Sequence, residues 1–226
     1  MMKKIIAILL SLVMILGLAA CGNSTSKTEK PSTEEAAVES KADTEESVEN
    51  STDMKNTDDS NVQEHKVLVA YFSATGTTEG VAEHIANGLN ADIYEIVPEE
   101  PYTDADLDYN DNNSRTTIEM NDPDARPAIS GSVENMEQYD IVFIGYPIWW
   151  GEAPRIVSTF VESYDFSGKT IVPFCTSGGS GMGSSETNLE QLTSGVQWLS
   201  GEHLSGSDSQ DAVMEWVNGL GLNFEK

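Results

Sequence analysis

The stretch Lys66-Val-Leu-Val-Ala-Tyr-Phe-Ser-Ala-Thr-Gly-Thr-Thr78 constrains the fold of this chain more than any other. Val67 to Phe72 form a near-continuous apolar run, the pattern of a strand covered on both faces, as in a parallel sheet. Ser73 to Thr78 follow without a gap as hydroxyl residues around one glycine. Val81, Ala82, Ile85, Ala86 and Leu89 then recur as one stripe on a 3.6-residue period, so a helix comes next. The loop therefore sits at a helix N-terminus, where unpaired N–H groups and the helix dipole favour an anion. The hydroxyls of Ser73, Thr75, Thr77 and Thr78 can donate to phosphate oxygens, and Gly76 lets the backbone come close. No Lys or Arg lies between Lys66 and Arg115. An NTPase loop needs a lysine after its last glycine and a dinucleotide fingerprint needs three spaced glycines, so neither fits. A hydroxyl-rich loop that merely caps a helix has the same sequence, and this stretch alone leaves the two open.

Composition divides the 226 residues before any fold argument. Met1 to Lys4 carry two lysines, Ile5 to Leu16 are apolar, and Leu18-Ala-Ala-Cys21 closes the segment with small residues before a cysteine. Residues 1–20 read as a secretory signal, too short in its apolar run for the ~20 residues of a membrane span. Leu18-Ala-Ala-Cys21 resembles the bacterial lipobox, which implies cleavage before Cys21, its lipidation, and a location outside the cytoplasm on the bacterial cell membrane. Residues 22–64 hold twelve Asp or Glu and no aromatic residue, so residues 21–65 are expected to be an acidic, disordered tether.

Residues 66–226 are long enough for one domain with its own core. They carry six basic against twenty-six acidic residues, a field that repels nucleic acid and anionic headgroups. Contact with the membrane is thus expected through the lipid alone. With Cys21 assigned to lipid, Cys175 has no internal disulfide partner and reads as a small buried hydrophobe. His65, His84 and His203 show no metal spacing.

Further along, Asp92 to Val97 alternate and read as an edge strand closed by Pro98. A helix is expected over Leu107 to Met120 inside the Asp-, Asn- and Pro-rich region 98–132. There Arg115 and Arg126 stand out as rare cations that meet either carboxylates or a substrate anion. Tyr139 to Tyr146 form a buried strand that ends in Pro147-Ile-Trp-Trp-Gly151. Adjacent tryptophans between Pro and Gly are poor turn formers and good walls for a flat aromatic ligand, although a loop folded over the core would also use them. Pro154 opens a helix striped by Ile156, Val157, Phe160, Val161 and Tyr164. Lys169 to Cys175 read as a fourth strand, with Pro173 in conflict because it cannot donate to a ladder. Thr176-Ser-Gly-Gly-Ser-Gly-Met-Gly183 follows, rich in glycine at a strand's C-terminal end. Leu189 to Leu192 suggest a helix, Val196 to Leu199 a fifth strand, and Val213, Trp216, Val217 and Leu220 a closing helix capped by Asp208.

Strands alternating with helices define an α/β doubly wound sheet, whose ligands bind beyond the strands' carboxyl ends at a switch in strand order. The three unusual loops follow the first, third and fourth strands, and together they resemble the flavodoxin family over residues 66–226. The resemblance implies a flavodoxin-like five-stranded parallel sheet in the order 2-1-3-4-5 with helices on both faces. It implies FMN as cofactor, its 5′-phosphate held by Ser73, Thr75, Gly76, Thr77 and Thr78. Pro147, Ile148, Trp149, Trp150 and Gly151 correspond to the first loop beside the flavin ring, with Trp149 or Trp150 against it. Thr176, Ser177, Gly178, Gly179 and Gly181 correspond to the second loop, which here lacks the aromatic residue usual in short flavodoxins.

The function expected on that resemblance is electron transfer outside the cytoplasmic membrane, with a redox protein or a small molecule as donor or acceptor. Two other classes remain. One is an FMN-dependent NAD(P)H or quinone reductase with its substrate on an uncovered ring face, and the other is a surface binding module without flavin.

Overall fold

A computed structural model describes residues 65–224. The signal segment 1–20, Cys21 and all of the tether but residue 65 lie outside the described residues. Among those described, no helix is long and apolar enough to cross a membrane.

The domain is built on a parallel sheet. Strand β1 (Val67–Tyr71) pairs on one side with β2 (Asp92–Glu95) and on the other with β5 (Ile141–Pro147), which pairs in turn with β6 (Thr170–Thr176). The outer position beyond β6 is shared by two short strands, β7 (Gln197–Trp198) and β8 (Glu202–His203), so the order is the expected one with its last strand split. Successive residues of a strand point to opposite faces, and both faces are apolar. Leu68, Ala70 and Phe72 join Val142, Ile144 and Tyr146 under helix α3 (Arg155–Glu162) and Leu189 of α4 (Ser185–Glu190). Val67, Val69 and Tyr71 join Ile141, Phe143, Val172 and Phe174 under α1 (Thr77–Leu89) and α5 (Gln210–Gly219). Helices thus cover both faces.

Pro173 explains the split. The carbonyls of Ile171 and Cys175 both accept from the outer strands, through Leu199 N at 2.9 Å and Leu204 N at 2.9 Å. Pro173 lies between them and faces the same side, where its missing N–H would have been required. The outer strand breaks opposite it, and Gly201 packs there so closely that a Cβ would stand 2.7 Å from the Pro173 carbonyl oxygen. The conflict over Pro173 is resolved by an interrupted neighbour, and β6 itself remains central.

Region 98–132 differs from expectation. The helix there, α2, runs only from Arg115 to Asn121, capped by Ser114. Residues 103–113 turn instead, because Asp106 accepts from the Thr103 N–H, Asp108 from Asn110 and Asp111 from Asn113, each at 2.9 Å. Short Asp and Asn side chains that bond nearby backbone compete with helix in this way. Pro98 does not end the second strand's run, since Val97–Pro98 forms β3, antiparallel to β4 (Ile129–Ser130). The cap of α5 is Ser209, which accepts from Ala212 N, while Asp208 accepts from Ser205 N and closes the preceding loop.

Candidate functional site

The chain leaves β1 for β2 on one side and later enters β5 on the other. The crevice between the carboxyl ends of β1 and β5 is therefore the switch point at which doubly wound sheets bind ligands. A cleft of about 430 Å³ opens there, lined by Ser73, Ala74, Thr75, Thr77 and Thr78 after β1 and by Pro147 at the end of β5 with Ile148, Trp149 and Trp150 after it. That size lies in the range of small-molecule sites.

The geometry at the β1 end separates the two readings of the hydroxyl loop. The N-cap of α1 is Gly76, in the left-handed region at φ 82°, and no side chain caps the helix. The hydroxyls of Ser73, Thr75 and Thr77 are not spent on capping, and the first-turn N–H groups of a helix have no intrahelical partner. What remains is a set of donors without a cation, open to the cleft. Thr78 is buried, and its hydroxyl lies 2.9 Å from that of Thr176 at the end of β6. A second support comes from the loop after β8, where Gly206 packs directly against the Thr77 methyl.

At the β5 end the tryptophans form a two-residue reverse turn. Trp149 N donates to Glu152 O at 2.9 Å and Glu152 N to Trp149 O at 3.0 Å. Both central residues have positive φ, 49° at Trp150 and 82° at Gly151. That is the backbone of a type I′ turn, which favours Asn or Gly over Trp. Trp149 is fixed edge-on against Phe72 and Tyr102, with ring centroids 5.5 and 5.3 Å away. Trp150 remains 47% exposed. The strained residue is the one whose indole is left for a ligand, and backbone strain of this kind gathers at binding sites.

The glycine-rich loop is fastened by contacts of its own. Thr176 stands behind the hydroxyl cradle, and Ser177, Gly178, Gly179 and Gly181 follow it at the carboxyl end of β6, next to that of β5. Ser177 donates its hydroxyl proton to Ser180 O and accepts from Gly179 N. His203 Nε2 lies 3.1 Å from the same oxygen. With the serine proton already committed, the imidazole must be the donor. The pair therefore fastens the loop to β8 and lacks the arrangement of a nucleophile with its base. The far end of the loop buttresses the tryptophan turn: Ser184 N donates to Gly151 O at 3.1 Å, and Gly183, at φ 58°, packs against that same carbonyl.

Both rare arginines of region 98–132 meet carboxylates. Arg115 pairs with Glu119 at 2.6 Å beneath the Tyr102 ring, and Arg126 pairs with Glu162 through Nε at 2.6 Å and Nη2 at 2.9 Å. The region contributes to the cleft through other residues. Leu107, Tyr109 and Thr116 line it. Tyr109, 75% exposed and alone among turn-forming residues, carried a signal in being aromatic without an apolar period around it. Leu107 and Thr116 carried none. Among the described residues no cluster of His, Cys, Asp or Glu could hold a metal ion.

A parallel α/β sheet with an anion cradle and an aromatic wall at its switch point defines a mononucleotide-binding class. The Flavodoxin family profile matches residues 66–220, and the chain belongs to that family. A candidate flavoprotein from Bacteroides eggerthii DSM 20697 is 49% identical, covering 70% of this chain and 99% of its own at a TM-score of 0.66. A second, from Bacteroides uniformis ATCC 8492, is 44% identical over 69% of this chain and 99% of its own, also at 0.66. A flavoprotein in complex with FMN from Lactobacillus acidophilus NCFM shares the fold at 21% identity and a TM-score of 0.53, covering 68% of this chain and 99% of its own. No curated protein matches the chain.

Proposed function

We propose that this chain is an FMN-binding redox protein that carries electrons on the outer side of the cytoplasmic membrane. One observation carries the cofactor assignment: uncapped hydroxyls and free N–H groups at the N-terminus of α1 share a cleft with an indole that its own backbone strains to present. The residues fit FMN. Its phosphate needs donors and a helix N-terminus rather than a cation, and its ring needs a flat apolar wall. Bound there, FMN supplies one- and two-electron transfer.

The chain's own residues bind and orient. Ser73, Thr75, Thr77 and Thr78 hold the phosphate, with Gly76 allowing close approach. Trp150 flanks the ring, while Ala74, Leu107 and Ile148 keep water from it. The lipobox-like Leu18-Ala-Ala-Cys21 and the acidic stretch after it support a lipid-anchored domain outside the cell membrane, with a redox protein or small molecule as its exchange partner.

The test is spectroscopic. The domain purified and mixed with FMN should acquire a flavin absorption band, quench flavin fluorescence and bleach with dithionite. A domain that leaves FMN fluorescence unchanged at saturating concentration rules the assignment out. An FMN-dependent NAD(P)H or quinone reductase is the second reading, favoured by the absence of any aromatic side chain from Thr176 to Gly183. Catalytic turnover with NADH or NADPH would select it over the carrier.

A further inference from the structure

Arg155 is the first residue of α3, a position where a cation meets the positive end of the helix dipole and is mildly unfavourable. It is also only 9% exposed. Its guanidinium spans two structures outside its own helix. Nη1 donates to Glu152 Oε2 at 2.7 Å, the closing residue of the tryptophan turn. Nη2 donates to Met120 O at 2.9 Å and Nε to Asp122 O at 3.1 Å, both at the C-terminal end of α2. Helix geometry leaves the Met120 carbonyl without an intrahelical partner, and the Asp122 carbonyl, just past the helix, also accepts from Ala125 N at 3.2 Å, so the fork completes the bonding of this end while its charge meets the negative end of α2.

Each structure carries one wall of the cleft. The turn presents Trp150. Helix α2 contributes Thr116, whose N–H and hydroxyl both bond Asp106 O, at 3.2 and 2.6 Å, and so hold the segment bearing Leu107 and Tyr109. A planar fork with fixed donor directions suits such a three-way tie better than a flexible ammonium.

We infer that Arg155 is a positioning residue that sets the separation of the two walls, and with it the fit of the cleft to a flat fused-ring ligand, independently of the phosphate cradle. The inference rests on the FMN reading given above. Tyr102 is a second tie between them, its ring edge-on to Trp149 and its hydroxyl donating to Glu119 of α2 at 2.6 Å, but it meets Trp149 through an aromatic contact alone and leaves Glu152 and the end of α2 unheld, so loss of the fork loosens the two walls. The hydroxyl cradle, anchored by Thr176 and Gly206, keeps its shape.

The experiment titrates wild type, Arg155→Met and Arg155→Lys with FMN and with riboflavin, which lacks the phosphate, by flavin fluorescence quenching. Arg155→Met should weaken both ligands tenfold or more by a common factor, leaving the ratio of the two affinities as in wild type. Arg155→Lys, able to reach Glu152 but not all three acceptors, should recover part of the loss. Unchanged affinity in Arg155→Met, or a loss confined to FMN, overturns the proposal. If Arg155→Met does not fold, Glu152→Gln takes its place. It leaves the α2 bonds intact and should reproduce a smaller common loss, and unchanged affinity for both flavins again overturns the idea. Wild type binding neither flavin would instead refute the cofactor assignment, before any variant is compared.

Discussion

The hydroxyls of Thr78 and Thr176 lie 2.9 Å apart in a fully buried contact that joins the first turn of α1 to the end of β6. One proton serves the contact between them. When Thr176 donates, the Thr78 proton is free for an anion in the cradle, and the donating neighbour strengthens it cooperatively. Thr176→Val keeps the shape and removes the donor. A hydrogen bond of this kind is worth about 0.5–1.5 kcal/mol, so FMN affinity should fall by roughly two- to twelvefold while riboflavin affinity holds. Isothermal titration with both ligands reads the difference, and an equal loss for the two would deny Thr176 any role at the phosphate.

Gly183 and Gly178 belong to one glycine-rich loop but answer to different constraints. Gly183 has φ 58°, and a Cβ there would overlap the Gly151 carbonyl, whereas a Cβ on Gly178 or Gly181 would meet nothing within 4 Å. Gly183→Ala should therefore cost ~1–3 kcal/mol as an overpacked, strained site and displace the tryptophan turn. Gly178→Ala should stay within about 0.5 kcal/mol of wild type. Urea denaturation of the three proteins is sufficient, and equal stabilities for the two variants would contradict the packing described.

What the sequence revealed and what it hid have separate physical causes. Strands β1, β5 and β6 were legible because burial on both faces makes them apolar without interruption, and the cradle was legible because a hydroxyl run broke such a strand. The cleft's third wall was not. Leu107 and Tyr109 sit among Asx turns, where side chains bond nearby backbone and erase the helical period that periodicity detects. The glycine-rich loop was located correctly at the end of a strand, but its composition could not show whether it faces a ligand or another loop. That depended on the close approach of Gly183 to Gly151, which is a tertiary fact.

Cys175 should be inert in the folded domain. Burial first, and then the charges of Glu202 and Glu186, push its thiol up to about 12. At pH 8 it is protonated and inaccessible, so labelling by a thiol reagent should proceed only through unfolding and accelerate with urea. The sign for stability follows from the raised value. The buried thiol's contribution is whole below its unfolded pKa of about 8.5 and is lost as pH rises toward the folded value. Rapid stoichiometric labelling of native protein at pH 8 would contradict its burial.

Glu162 behaves in the opposite sense. The hydrogen bonds and charge of Arg126 hold its carboxyl below the usual range against a smaller opposing effect of burial. Its folded-state value is depressed, so the ion pair stabilises above the unfolded pKa of about 4.3 and is lost as pH falls through the folded value. Glu162→Gln should be less stable than wild type at pH 6, and the gap should narrow as the pH falls below that unfolded value. A gap that stayed constant across that interval, by urea midpoints at each pH, would assign the loss to packing instead of charge.

The adjacent tryptophans should separate stability from binding. Trp149 is wedged between Phe72 and Tyr102, so Trp149→Ala removes aromatic contacts from the packed end of the cleft and should cost about 3 kcal/mol, the low end for truncating a large aromatic side chain. Trp150 occupies the left-handed region at φ 49°, which costs a side chain roughly 1–2 kcal/mol and which Asn tolerates better. In Trp150→Asn the relieved strain offsets the lost contacts, so the apo domain should stay within about 1 kcal/mol of wild type while flavin quenching and affinity fall sharply. Thermal denaturation of the apo forms beside flavin titration distinguishes the two. If Trp150→Asn bound flavin as well as wild type, the strain at that turn would need a purpose other than presenting an indole to the ring.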